Sequence, residues 1–130
     1  MPFGPIYTTI SSTFCRRDNL ILAASTTKTC DAVCAQANST GDNTTFYKYG
    51  CHKDDFDSHD EVYCMVREEC ETACTADKDC VSFDMDRTTP RCWFNKECTD
   101  MVPGMYHDLV VKSDGPAPCT VEVRKQPPFC

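Results

Sequence analysis

The sequence predicts a small, disulfide-rich α+β fold, and three observations lead there. Twelve of the 130 residues are cysteine, about 9%, the density of extracellular domains whose cores are too thin to fold unaided. Leu, Ile, Val and Phe together number only 22, and the net charge is −7, a combination that in a chain without cross-links favours disorder. Runs with helical spacing and runs with strand alternation both occur along the chain, as a mixed fold requires.

The cysteines are Cys15, Cys30, Cys34, Cys51, Cys64, Cys70, Cys74, Cys80, Cys92, Cys98, Cys119 and Cys130. An even number spread over the whole chain reads as six disulfides formed in an oxidising compartment, so the protein is expected to be secreted. Spacing alone allows roughly ten thousand pairings of twelve cysteines. The first fourteen residues are polar and Thr-rich, unlike a signal peptide, and the expectation is a chain whose leader has been removed. The longest apolar stretch, Leu20 to Ala24, is far too short to span a bilayer, so no membrane insertion is expected. Net acidity and the lack of a Lys/Arg run longer than Arg16-Arg17 argue against nucleic acid.

Taken in order, residues 1–14 form an extended N-terminal arm, with Phe3, Ile6, Tyr7, Ile10 and Phe14 in a β-prone stretch. Such a strand either completes its own sheet or adds to the open edge of another subunit. Cys30-Asp31-Ala32-Val33-Cys34 and Cys70-Glu71-Thr72-Ala73-Cys74 repeat the spacing C-x3-C at an offset of 40 residues. Four residues are about one helical turn, which puts each pair of sulfurs on one helix face. Thr26 or Thr27 is the expected cap of the first helix, and Arg67, Glu68 and Glu69 open the second with good helix formers and carboxylates suited to the positive helix start. Each helix is followed by a strand-like run, Thr44 to Tyr49 and Val81 to Met85. In the second, Val81, Phe83 and Met85 alternate with Ser82 and Asp84, the pattern of a half-buried strand. Its hairpin partner is Cys92-Trp93-Phe94, across a turn at residues 87–91. Tyr106 to Lys112 reads as a further strand, Ser113 to Pro118 as a linker, and Val121 to Arg124 alternates once more before Cys130. Cys119 and Cys130 are expected to tie this tail to the body.

The segment from Cys70 through Cys74-Thr75-Ala76-Asp77-Lys78-Asp79-Cys80-Val81-Ser82-Phe83-Asp84, with Arg91-Cys92-Trp93-Phe94 and Tyr106 to Val111, resembles the PAN/apple family. The resemblance implies a curled antiparallel sheet cradling a short helix, with inner bridges Cys70–Cys92 and Cys74–Cys80. It implies an outer bridge from Cys64 to Cys98 or Cys119. Residues 64–112 are then a PAN/apple-like unit and 113–130 a disulfide-tethered C-terminal tail. Residues 15–63 are a divergent cysteine-rich apple-like unit, either a degenerate second copy in tandem or an extension completing one larger unit.

Catalytic and metal chemistry find little support in the residues. No G-x-S-x-G, H-E-x-x-H or Gly-rich phosphate loop occurs, and with the thiols paired no nucleophilic cysteine is left, so no catalytic residue and no cofactor is expected. Cysteines with His52, His59 and His107 lack zinc-ligand spacing. Asp54, Asp55, Asp57, Asp60 and Glu61 lack the ligand pattern of a calcium loop and read as a solvated run. Asn38-Ser39-Thr40 and Asn43-Thr44-Thr45 are N-glycosylation sequons in the stretch after the first helix. Trp93 and Phe94, beside a bridge, read as core packing rather than as a sugar platform.

The function expected is therefore a secreted, non-catalytic recognition or adhesion module that binds an extracellular protein or carbohydrate. Asp84, Asp86, Arg87 and Arg91 around the second hairpin are the candidate contacts. The alternative is a glycosylated subunit of an extracellular filament or coat, self-assembled through residues 2–14.

Overall fold

A computed structural model describes residues 4–53 and 60–113. The expectations for Asp54 to His59, Cys119, Cys130 and the run Val121 to Arg124 lie outside the described residues. The element order is β1 (Ile6–Ile10), β2 (Thr13–Cys15), β3 (Leu20–Ile21), a 3-10 turn (Ala23–Ser25), α1 (Cys30–Thr40), α2 (Asn43–Lys48), α3 (Arg67–Ala76), β4 (Ser82–Asp86), β5 (Cys92–Asn95), β6 (Met101–Pro103) and β7 (His107–Ser113). The small disulfide-rich α+β class is as the composition predicts.

Five strands form one antiparallel sheet in the order β1-β7-β4-β5-β3, and β2 pairs with β6 as a separate ribbon. The arm completes its own sheet, with Ile6 opposite Ser113 and Ile10 opposite Leu109. The N-terminal half thus supplies both edge strands of the sheet whose centre comes from the C-terminal half.

Because strand side chains alternate, the registers Phe83–Phe94 and Asp84–Trp93 define two different faces. On the first face α3 packs through Cys70 and Cys74 onto Phe83, Phe94 and Val110, with the Tyr63 ring stacked on Phe94 at 4.3 Å. The family-implied bridges Cys70–Cys92 and Cys74–Cys80 both form there. Lys112 Nζ donates to the carbonyls of Cys74 and Asp77 at 2.8 and 3.2 Å, placing a cation on the negative end of α3.

The opposite face carries Asp84, Trp93 and Leu109, and the ribbon covers it, so β4 is buried on both sides. This corrects the half-buried strand: Val81 is exposed, whereas Ser82 and Asp84 are buried. A polar row survives there because Ser82 Oγ meets Asn95 Nδ2 at 3.1 Å and Asp84 Oδ1 accepts the Cys15 N–H at 2.8 Å.

Three further expectations are corrected. Thr44 to Tyr49 is not a strand: Gly41, at φ 68°, ends α1 in the left-handed region, and Asp42 caps α2 by accepting from Thr45 N at 3.1 Å. The cap of α1 is Thr29 rather than Thr26 or Thr27, its hydroxyl accepting from Ala32 N at 3.2 Å. Cys98 pairs with Cys15 rather than Cys64, because the β2–β6 register sets Cys15 opposite Met101 near that loop. A fourth bridge, Cys34–Cys51, staples α1 to the chain leaving α2.

Nine of the twenty buried apolar residues among those described are cysteines. Sulfur occupies the interior that Leu and Ile fill in larger domains.

Candidate functional site: a polar groove on cross-linked helices

Two cysteine-held helices and the start of a third leave an open groove of about 750 Å³, within the usual size range of small-ligand sites. Ala32, Val33 and Ala37 of α1 give it an apolar strip. Lys28, Gln36, Thr40 and Asp42 are exposed along it, and Tyr49 and Glu69 lie at its inner end.

The inner end is fixed by hydrogen bonds. Glu69 Oε1 accepts the Val66 N–H at 3.1 Å, closing the first turn of α3, and the Tyr49 hydroxyl donates to the same oxygen at 2.6 Å. Burial pushes the Glu69 carboxyl up, but those two hydrogen bonds and the charges of Lys28 and Lys48 outweigh it and hold the group below its ordinary value. Burial first, then the bond to Glu69 and its charge, push the Tyr49 hydroxyl well above its ordinary value. Glu69 is therefore a fixed carboxylate, and Tyr49 a fixed neutral phenol that spends its one proton on Glu69 and offers a ligand only its oxygen lone pairs. Lys28 supplies the opposite charge and Gln36 an amide that both donates and accepts. Such a set can orient a polyhydroxyl or peptide ligand through paired hydrogen bonds.

The hairpin candidates do not converge on one site. Asp86 Oδ1 is taken up by Thr88 N, Thr88 Oγ1 and Thr89 N at 2.8, 2.9 and 3.1 Å, closing the turn. Arg87 is at the surface, its Nε 2.9 Å from Asp108 Oδ1. Arg91 is 2% exposed and its Nη1 donates to Cys64 Sγ at 3.1 Å. Asp84 is fully buried; desolvation raises its carboxyl above the ordinary value, against the Cys15 N–H and the Arg17 guanidinium. Asp84 and Arg91 thus leave the set of surface contacts, because a sheet face covered by β2 and a cysteine cluster enclose them.

Trp93 is buried, as core packing requires, and its ring is covered by the Arg17 guanidinium at 3.9 Å from the centroid. Arg17 also bonds Asp84 Oδ2 through Nε at 3.3 Å and meets His107 Nε2 at 3.2 Å. This cluster knits the β2–β3 connection to the sheet. His52 sits apart, its ring 4.8 Å from that of Tyr47. Among the described residues no three of His, Cys, Asp and Glu are grouped as a metal would require, and no helix is long and apolar enough to cross a membrane. Asn38 and Asn43 are both exposed, but they lie on the last turn of α1 and the first of α2 rather than in a loop.

The groove escaped sequence reasoning because Glu69, on α3, lies 20 residues beyond Tyr49, which follows the end of α2. The one local signal was Gly41-Asp42, a helix stop followed by a cap. Comparison of the chain with protein-family models, with curated proteins and with solved structures finds no match in any of the three.

Proposed function

We propose that the protein is a secreted, non-catalytic recognition module of the PAN/apple kind, which binds an extracellular protein or carbohydrate in the groove between α1, α2 and the start of α3. The observation that supports it is a groove of about 750 Å³ whose wall is cross-linked by Cys34–Cys51 and whose inner polar groups, Tyr49 and Glu69, are locked together at 2.6 Å. A site already rigid loses little ordering entropy on binding. Four bridges among the described residues favour an oxidising, extracellular setting.

Binding to a saccharide array and to immobilised extracellular proteins tests this. The native chain is expected to bind a ligand from one of these classes, with Lys28→Ala and Gln36→Ala weakening that binding at least tenfold while leaving the fold unchanged. Silence across both collections, or binding that ignores both substitutions, would refute the groove as the site. A structural subunit is the second reading, since β1 is an edge strand of the five-stranded sheet and edge strands are templates for pairing. Light scattering over a range of concentrations separates the two: a monomer throughout excludes the filament subunit.

A further inference from the structure

We infer that Cys30 and Cys64 are joined by a fifth bridge, which locks the start of α1 to the segment entering α3 and so closes the floor of the groove. Both residues are buried, at 0% and 1% exposure, and both belong to the cluster built around Cys34, Cys51, Val62 and Trp93. The backbone brings them together: Cys64 N–H donates to the Lys28 carbonyl at 2.7 Å, and Cys30 follows two residues later as the first residue of α1. Neither side of that contact is free to drift. Tyr63 exchanges backbone hydrogen bonds with Cys92 at 2.8 and 2.9 Å, and α1 is stapled through Cys34. The alternative pairing of Cys64 with Cys98 is closed, since Cys98 holds Cys15.

Arg91 holds one of the two sulfurs in place, its Nη1 3.1 Å from Cys64 Sγ. Because both sulfurs are enclosed in the folded protein, the exchange with a disulfide-bearing oxidant of the secretory route belongs to the folding chain, before burial closes access: one of the two thiolates attacks the oxidant, forming a mixed disulfide and releasing one sulfur of the oxidant. The other thiolate then attacks its partner's sulfur, forms the Cys30–Cys64 bond and expels the second. The oxidant leaves as a dithiol carrying the two electrons and the two protons that the cysteines gave up. Arg91, read from sequence as a contact residue, packs against this bridge instead.

The test uses the native chain, alkylated under denaturing conditions without reductant. Cleavage before Asp31 and after Arg67 separates Cys30 from Cys34 and Cys64 from Cys70. The expected result is a disulfide-linked peptide pair holding only Cys30 and Cys64. Alkylation of either residue, or linkage of either to Cys119 or Cys130, would overturn the inference. A Cys30→Ala variant is expected to gain one alkylatable thiol per chain, at Cys64; no gain would also overturn it, and the wild-type map decides the matter if the variant does not accumulate.

Discussion

The bridges should differ in worth by the length of chain each one closes. Cys15–Cys98 spans 83 residues and Cys74–Cys80 only 6. In the chain-entropy picture, loops of these lengths are worth about 4.5 and about 2 kcal/mol, with Cys70–Cys92 and Cys34–Cys51 between them at about 3 kcal/mol. Packing argues for the opposite order. Cys74 and Cys80 are both fully buried, whereas Cys98 is only half-buried beside a buried Cys15, so replacing the short pair by alanine removes more interior sulfur. The comparison therefore isolates the constraint on the unfolded chain from the loss of contacts. The assay is urea unfolding of Cys15→Ala/Cys98→Ala and Cys74→Ala/Cys80→Ala, followed by fluorescence of Trp93, the one tryptophan, which leaves its place under Arg17 on unfolding. The long-loop variant is expected to lose about 2 kcal/mol more than the short-loop variant. Equal losses, or a larger loss for the short loop, would refute the reasoning.

Three further outcomes follow from named contacts. Glu69→Gln keeps an acceptor for Val66 N–H and Tyr49 but removes the charge. Because the folded carboxyl sits below its ordinary value of 4.5, its ionisation stabilises the fold above that pH, and this contribution fades as pH falls through the folded pKa. Thermal melting should therefore show the wild type ahead of the variant at about pH 6 and converging with it toward about pH 3; a constant gap would contradict the assignment. Asp84→Ala leaves the buried Cys15 N–H without an acceptor, while Arg17 keeps Trp93 and solvent, so the loss should be about 1–3 kcal/mol in urea unfolding. Gly104→Ala would set a methyl 2.5 Å from Phe14 Cδ1 and 2.8 Å from Cε1. Displacing that ring should cost about 1–3 kcal/mol and shift the His107 ring resonances, since the two rings lie 5.9 Å apart.

What could be read from the letters was what is local. The α3 segment and the hairpin of β4 and β5 lie within one stretch, where C-x3-C spacing and alternation act over a few residues, whereas the two inner bridges followed only from the resemblance to the PAN/apple family. The errors arose where a distant partner decides. Thr44, Thr45, Phe46 and Tyr47 have the β-branched and aromatic side chains of a strand, yet Asp42 and Gly41 impose a helix. Asp84 looked outward until β2, almost 70 residues away, brought the Cys15 N–H to it. Arg91 looked like a surface charge, but the Cys64 segment encloses it. The groove has no contiguous signature, because its apolar strip, its lysine and its locked Tyr49–Glu69 pair come from three helices and a connecting loop.

Sulfur cross-links hold a fold whose apolar interior is too small to hold itself. The measurement that reaches this most directly is a proton–nitrogen correlation spectrum of the full chain before and after complete reduction and alkylation at neutral pH. Dispersed native resonances should collapse to the narrow range of an unfolded chain once the bridges are gone. A reduced and alkylated protein that kept its dispersed spectrum and its melting temperature would contradict the account.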